Sequence, residues 1–370
     1  MDEPVKFRSS RIRELDSLRG LAACTVLLHH NLAAAGLLKG PFRDLLIASP
    51  LHVIESGRPA VLLFFVLSGY VLTRALSRTE LTRIEFTRWV LQRSVRLLVP
   101  SAAALLISAV LYTLASRGTW PGEAAWLRNT LWNSALSWRS IGNQAALVAP
   151  DGGFGLDNVL WSLEVEWRVS LFLPFVAIPL IFSGNRGSLY LLLAGVGVAC
   201  FAGGASPDDF YSGASALGAT RVTIYFTLPF IIGVVLERSG ASRVRADRAL
   251  IACGLLAIIG LARANSDLAI FAASALLIWL AQQPGLLRRV LLHPVLTWLG
   301  TVSFSLYLIH EPVLAALHHS LHGRISTAVI FALSVAAALP AAWLFYAGVE
   351  RPAHRLARFI SQIPCRLGHR

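Results

Sequence analysis

The sequence predicts an all-α protein: a polytopic bundle of about ten membrane-spanning helices with cytoplasmic N- and C-termini. Three observations predict it. Of 370 residues, 55% are hydrophobic and only 14% charged, with a mean hydropathy of +0.62, whereas soluble domains are about a quarter charged. The apolar residues fall in runs approaching the ~20 needed to cross a bilayer. The basic residues gather between those runs, so the net charge of +13 reflects membrane topology rather than a nucleic-acid stripe.

In chain order the candidate helices are 18–37, 59–76, 97–115, 161–182, 188–204, 222–237, 249–263, 267–282, 297–317 and 325–348. With the N-terminus inside, this partition puts 23 of the 33 Lys and Arg residues on the cytoplasmic side, as the positive-inside rule requires. The first run resembles a signal peptide, with a basic start and Ala33, Ala34 and Ala35 at its end. His29, His30 and Asn31 interrupt it, and it is long enough to span, so a retained helix is expected. Residues 1–360 read as one transmembrane domain and 361–370 as a basic cytoplasmic tail. Cys24, Cys200, Cys253 and Cys365 show neither disulfide nor metal spacing, and no metal is expected.

The longest connection, 116–160, is expected outside. Trp120, Trp126, Trp132 and Trp138 run through it, with Leu127, Leu131, Leu136 and Leu147 between them. It reads either as an interfacial aromatic belt or as a partly re-entrant cap over an acceptor site.

The chemistry begins in the first helix. Arg19 and His30 are eleven residues apart, about three turns, and share a face roughly 16 Å apart along the axis. Asp16 lies on nearly the same stripe. If the helix enters near Leu18, His30 is about 18 Å deep. A titratable ring at that depth is usually functional. It could serve as a general base, or as a nucleophile carrying an acyl group. His29 points about 100° away and is the weaker candidate.

Further along, Gly69 beside Ser68 permits close helix approach. Arg93 and Arg96 share a helix face and suit a phosphate-rich ligand. Asp157 or Asn158 could cap the fourth helix. Glu166, a turn or two below the outer surface, is expected to pair with Arg168 or Arg221, or to orient a sugar hydroxyl. Ser303, Tyr307 and His310 follow i, i+4, i+7 and form one polar stripe. Glu350 closes the tenth helix, where a structural role is favoured.

These segments, in this order, resemble the acyltransferase-3 family of bacterial membrane acyltransferases. The matching stretches are Leu15 to Gly20 through His30, Phe64 to Gly69, Arg93 with Arg96, Trp161 to Glu166, Ser303 to His310, and Glu350 to Pro352. Ser17 stands where the family usually has glycine. The resemblance implies transfer of an acyl group, commonly acetyl, from cytoplasmic acyl-coenzyme A to a hydroxyl of an extracytoplasmic glycan. It makes His30 the catalytic centre with Arg19, and Arg93 and Arg96 the holders of coenzyme A phosphates. Asp16 and Glu166 join the expected catalytic set, with Ser303, Tyr307, His310 and Trp161 toward the substrate. Acyl-CoA, the acceptor glycan and membrane lipid are the expected partners, without nucleic acid, in a bacterial inner membrane. Two other readings stay open: acylation of a small secreted molecule or lipid, and a proton-coupled transporter, which also suits intramembrane His, Arg and Glu.

Overall fold

A computed structural model describes residues 12–49, 51–77, 82–115, 118–133, 136–147, 154–175, 216–240 and 266–362, with positions 187, 194–195 and 254. Among the described residues there are helices and no strands. Apart from positions 194–195 and 254, the expected helices 188–204 and 249–263, and the end of 161–182, lie outside the described residues.

The elements are α1 (Arg13–Ala34), α2 (Pro41–Ala48), α3 (His52–Glu55), α4 (Gly57–Leu76), α5 (Arg83–Ala115), α6 (Ala125–Thr130), α7 (Trp138–Ala145) and α8 (160–175). They continue with α9 (Ala216–Arg238), α10 (Asp267–Ala281), α11 (Leu286–Leu291), α12 (Pro294–Leu321), α13 (Thr327–Phe345) and α14 (Arg351–Gln362), the last two joined by a π-helical turn at Tyr346–Glu350.

Five described stretches are long and apolar enough to cross a membrane: Gly57–Leu76, Ile84–Ala115, Thr220–Arg238, Pro294–Leu321 and Thr327–Ile360. The protein is therefore read as an integral membrane protein. α10 is apolar but shorter, at 15 residues. α1 has the length, 22 residues, but His29, His30 and Asn31 dilute its apolar run. The helix that carries the chemistry is thus the one whose composition looks least like a span.

α1 packs most extensively against α12. Gly20 and Gly300 make the approach feasible. A Cβ on Gly20 would lie 2.7 Å from the Gly300 nitrogen, and one on Gly300 would strike the Asp16 carbonyl. Ten residues further along each helix, His30 meets His310. The two helices therefore run parallel and in register, at a constant offset of 280 residues. Ser17 donates to the Leu291 carbonyl at 2.5 Å, so the hydroxyl that replaces the family's usual glycine ties α1 to the end of α11. α4 packs on α9 by the same device, with Gly69 against the Phe230 backbone and Gly233 against Val66 and Tyr70.

Other contacts set the remaining directions. Arg58 and Asp267 pair at the N-terminal ends of α4 and α10, while Tyr70 donates to Gln282 near their far ends at 2.8 Å; these helices run parallel. Along α5 and α8, Arg93 meets Glu166 and Ser108 meets Leu156; these run antiparallel. Such directions agree with strict alternation of the expected spans. Glu350 accepts from Ser305 at 2.5 Å, the structural role favoured for it.

α1 ends earlier than the expected 37. Gly36 takes φ +73°, its N–H reaches Ala33 and that of Leu37 reaches Leu32. This is a Schellman stop, which uses glycine's tolerance of positive φ. His30 consequently lies about 6 Å from the C-terminal end of α1 and about 26 Å from its start. It sits nearer the C-terminal end of α1 than mid-helix, and a cover from elsewhere is needed.

The connection between α5 and α8 supplies that cover. Leu127, Leu131, Trp132 and Leu147 are buried in it, whereas Trp138 is 86% exposed. Trp132 donates to Ser108 at 3.0 Å. The stretch 154–160 dives among the helices, with Leu156, Asp157, Val159 and Leu160 all buried. The connection folds as a cap, and α8 starts below it.

The glycine clamp yields a first prediction. Gly300→Leu forces the helices apart or strains them, a cost of about 1–3 kcal/mol or more. The purified variant is expected to melt at a lower temperature in detergent and to lose activity with it. A melting temperature equal to wild type would exclude the clamp.

Candidate active site

His30 is 13% exposed, while His310 and Glu311 are fully buried. Nδ1 of His30 lies 2.9 Å from Nε2 of His310 and 3.0 Å from Oε1 of Glu311. The rings of His30 and His310 lie edge to edge and nearly coplanar, with centroids 5.2 Å apart and an interplanar angle of 11°. A face of His30 stacks against Trp126 at 5.1 Å and 22°. The ring is held between α12 and the cap.

The hydrogen-bond chain decides the tautomers. Nδ1 of His310 lies 3.0 Å from the Leu306 carbonyl oxygen, which can only accept. That nitrogen therefore carries the proton. In a neutral ring Nε2 of His310 is then an acceptor. Nδ1 of His30 must donate to it, and Nε2 of His30 is left as the unprotonated, basic nitrogen. His29 is turned aside. Its Nδ1 contacts the Glu55 carbonyl oxygen at 2.5 Å, and its ring occupies the space that a Cβ on Gly57 would need.

A narrow cleft lies beside this site, lined by Arg19, Val61, Phe64, Phe65, Ser162, Leu163, Glu166, Ser303, Phe304 and Tyr307. Five residues singled out in the sequence thus converge near one another: Arg19, Glu166, Ser303 and Tyr307 in the cavity wall, and His310 on the Tyr307 helix. Tyr307 and Ser162 share a hydrogen bond at 2.7 Å, and Phe64 packs edge-on against Tyr307 at 5.6 Å. Ser303 Oγ donates to the Gly300 carbonyl at 2.9 Å.

The partners of Glu166 differ from the expected ones. Arg93 forms the ion pair with it, and Ser68 donates to it at 2.9 Å. Arg19 is close enough to act on the same carboxylate. Arg168 pairs instead with Glu164. The reason is the descent of 154–160: because α8 begins deep in the bundle, its Glu166 reaches the level of the arginines rather than the outer surface. Arg93 and Arg96 do not act as a matched fork. Arg93 turns inward to Glu166 and Ser170, while Arg96 is exposed.

Trp161 packs against Phe65 and Phe226 and is not among the cavity-lining residues. Asp16 contributes its backbone to the Gly300 contact, and its side chain is half-buried. Sequence reasoning missed Trp126 as a ring partner of His30, and Glu311 and Asp157 as site residues. For Glu311 a signal existed, since an acid beside a histidine within an apolar helix is costly unless used. Asp157, expected as a possible cap of α8, is fully buried and directed to Glu311. The facing atoms of His30, His310 and Glu311 lie within 4.8 Å of one another.

Breaking one side of the Arg93–Glu166 pair leaves a buried charge, at a cost of about 3–5 kcal/mol. Glu166→Gln is expected to lower the melting temperature sharply. The double variant with Arg93→Gln is expected to recover part of the loss, because neither charge is then stranded. Equal melting of single and double variants would mean that the pair carries no coupling.

A family model described as an acyltransferase domain matches residues 12–347, nearly the whole chain. The O-acetyltransferase PaAT-1 of Phomopsis amygdali is 30% identical over 191 residues, which cover 43% of this chain and 38% of that protein. The match thus spans less than half of either protein. No solved structure matches the chain. With a family match along almost its full length, the chain belongs to the acyltransferase-3 family.

Proposed function

We propose that this enzyme is a transmembrane O-acyltransferase that moves an acetyl group from cytoplasmic acetyl-coenzyme A to a hydroxyl of an extracytoplasmic carbohydrate, such as a surface polysaccharide. The observation that carries the reading is the unprotonated Nε2 of a buried histidine, whose other nitrogen is engaged by His310 and Glu311. The name of the PaAT-1 relative supports acetyl as the transferred group and oxygen as its destination.

In this reading both termini are cytoplasmic, ten helices span a bacterial inner membrane, and the arginine end of α1 faces the donor. Arg19 meets the thioester arm in the cavity, and exposed Arg96 serves the phosphates, where a guanidinium offers paired donors. Nε2 of His30 removes the acceptor hydroxyl proton as the oxygen attacks the thioester carbonyl. The tetrahedral intermediate collapses, the carbon–sulfur bond breaks, and the departing thiolate takes the proton from the imidazolium. Trp126 closes the site from the outer side and excludes water that would hydrolyse the thioester.

Proteoliposomes loaded with labelled acetyl-coenzyme A test the reading. His30→Ala is expected to lower transfer by the ~10²–10⁴-fold that general-base catalysis is worth. Arg96→Ala is expected to raise the donor KM about tenfold, corresponding to one charge-assisted contact of about 1.5 kcal/mol. Transfer at wild-type rates in His30→Ala would sink the assignment. Mass analysis of surface polysaccharide from cells with and without the gene identifies the acceptor.

A further inference from the structure

Behind His30 lies a second buried acid that the mechanism above does not use. Glu311 faces Nδ1 of His30 with Oε1 at 3.0 Å, and its Oε2 accepts from the Val159 N–H at 3.2 Å. The Asp157 carboxyl lies against that of Glu311. Both residues have no exposed surface. Both Asp157 oxygens and Oε1 of Glu311 lack a well-formed hydrogen bond among the described residues, the Val159 N–H lying near the Asp157 carboxyl but bonding Oε2 of Glu311. Among the described residues, the basic side chain within ion-pair reach of Glu311 is the His30 ring.

Two carboxylates in contact in an apolar interior cannot both ionise. One proton between them bridges one oxygen of each carboxyl and leaves the pair with a single negative charge. Asp157 is brought here by the descent of 154–160, and Glu311 by the α1–α12 register. The contact therefore depends on tertiary structure at both ends.

We propose that Asp157 and Glu311 form a proton-sharing carboxyl pair, facing Nδ1 of His30, which fixes the ring's tautomer and supplies the counter-charge when Nε2 takes the acceptor proton. Both are positioning residues acting through His30, and the inference rests on the reading of His30 as the base. When the acceptor proton reaches Nε2, the positive ring faces a pair bearing one negative charge, so charge separation in the apolar site stays local. The proton between the carboxyls does not leave. When the thiolate reclaims the proton from Nε2, the pair returns to its starting state. The titratable groups around it are His30 and His29 on α1, and His310 beside Glu311 on α12.

The test uses the full-length protein in proteoliposomes with acetyl-coenzyme A. Asp157→Leu replaces the carboxyl by an apolar side chain and removes the shared proton. It is expected to lower kcat roughly tenfold or more, a part of the ~10²–10⁴-fold worth of the base, with the donor KM unchanged. The acid limb of its pH–rate profile is expected to move to higher pH, because Glu311 without a shared proton loses its charge more readily. Asp157→Asn, whose amide still donates to Glu311, is expected to fall between Asp157→Leu and wild type. Asp157→Leu combined with Glu311→Gln is expected to be no slower than Glu311→Gln alone. Infrared difference spectra of wild type are expected to carry a buried carboxylic-acid band that Asp157→Asn removes, a readout independent of activity.

An unshifted profile with wild-type kcat in Asp157→Leu overturns the pair, and so do additive losses in the double variant or an unchanged infrared band. A stoichiometric divalent metal in the purified protein, lost in Glu311→Gln, also overturns it, since the oxygens would then bind a cation. If His30→Ala is itself active, the failure belongs to the reading of the base. If His30→Ala is inactive while the Asp157 variants match wild type, only the pair fails.

Discussion

The parallel contact between α1 and α12 is the constraint on which the rest depends. Two glycines, Gly20 and Gly300, let the backbones touch, and from that contact a shared register carries His30 to His310 ten residues later. Helix association in a bilayer gains little from hydrophobic burial, because lipid is as apolar as leucine. Close packing at small residues and hydrogen bonds between helices must supply the attraction. Here the glycines provide the first and the histidines the second, so the device that docks the helices also builds the site.

That economy explains the composition of α1. A spanning helix made only of apolar residues would insert readily and do nothing. α1 gives up part of its apolar run to His29, His30 and Asn31 and offsets the cost with partners. His29 reaches the Glu55 carbonyl, Asn31 reaches that of Leu27, and His30 reaches His310. The outer end of the helix is then sealed by Trp126 from the cap. Other buried polar atoms, among them Asn31 Oδ1 on α1 itself and the oxygens of Asp157 and Oε1 of Glu311, have no hydrogen-bond partner among the described residues.

Charge is arranged in two tiers along the same bundle. The lower tier is the Arg19, Arg93 and Glu166 group around the cavity, a place where a carboxylate holds guanidinium groups in position. The upper tier is the His30, His310, Glu311 and Asp157 group under the cap. Ser162 and Tyr307 link the tiers through their shared hydrogen bond in the cavity wall.

By itself the sequence determined the all-helical class and several of the apolar segments long enough to cross a membrane. Those properties are written in local periodicity: apolar runs of spanning length, the eleven-residue step from Arg19 to His30, and the stripe of Ser303, Tyr307 and His310. The glycine at 69 was legible as a close contact for the same reason. Pairings between distant segments were decided only by the tertiary structure. Glu166 was expected near the outer face with Arg168 or Arg221, yet it meets Arg93, because 154–160 folds inward and starts α8 deep in the bundle. Trp126 stacks on a histidine rather than facing lipid, and Asp157 meets an acid rather than capping a helix. A single sequence records which side chains a helix offers on each face. How deep a loop descends, and which helix it meets, depends on packing between segments far apart in the chain, and local spacing carries no trace of that.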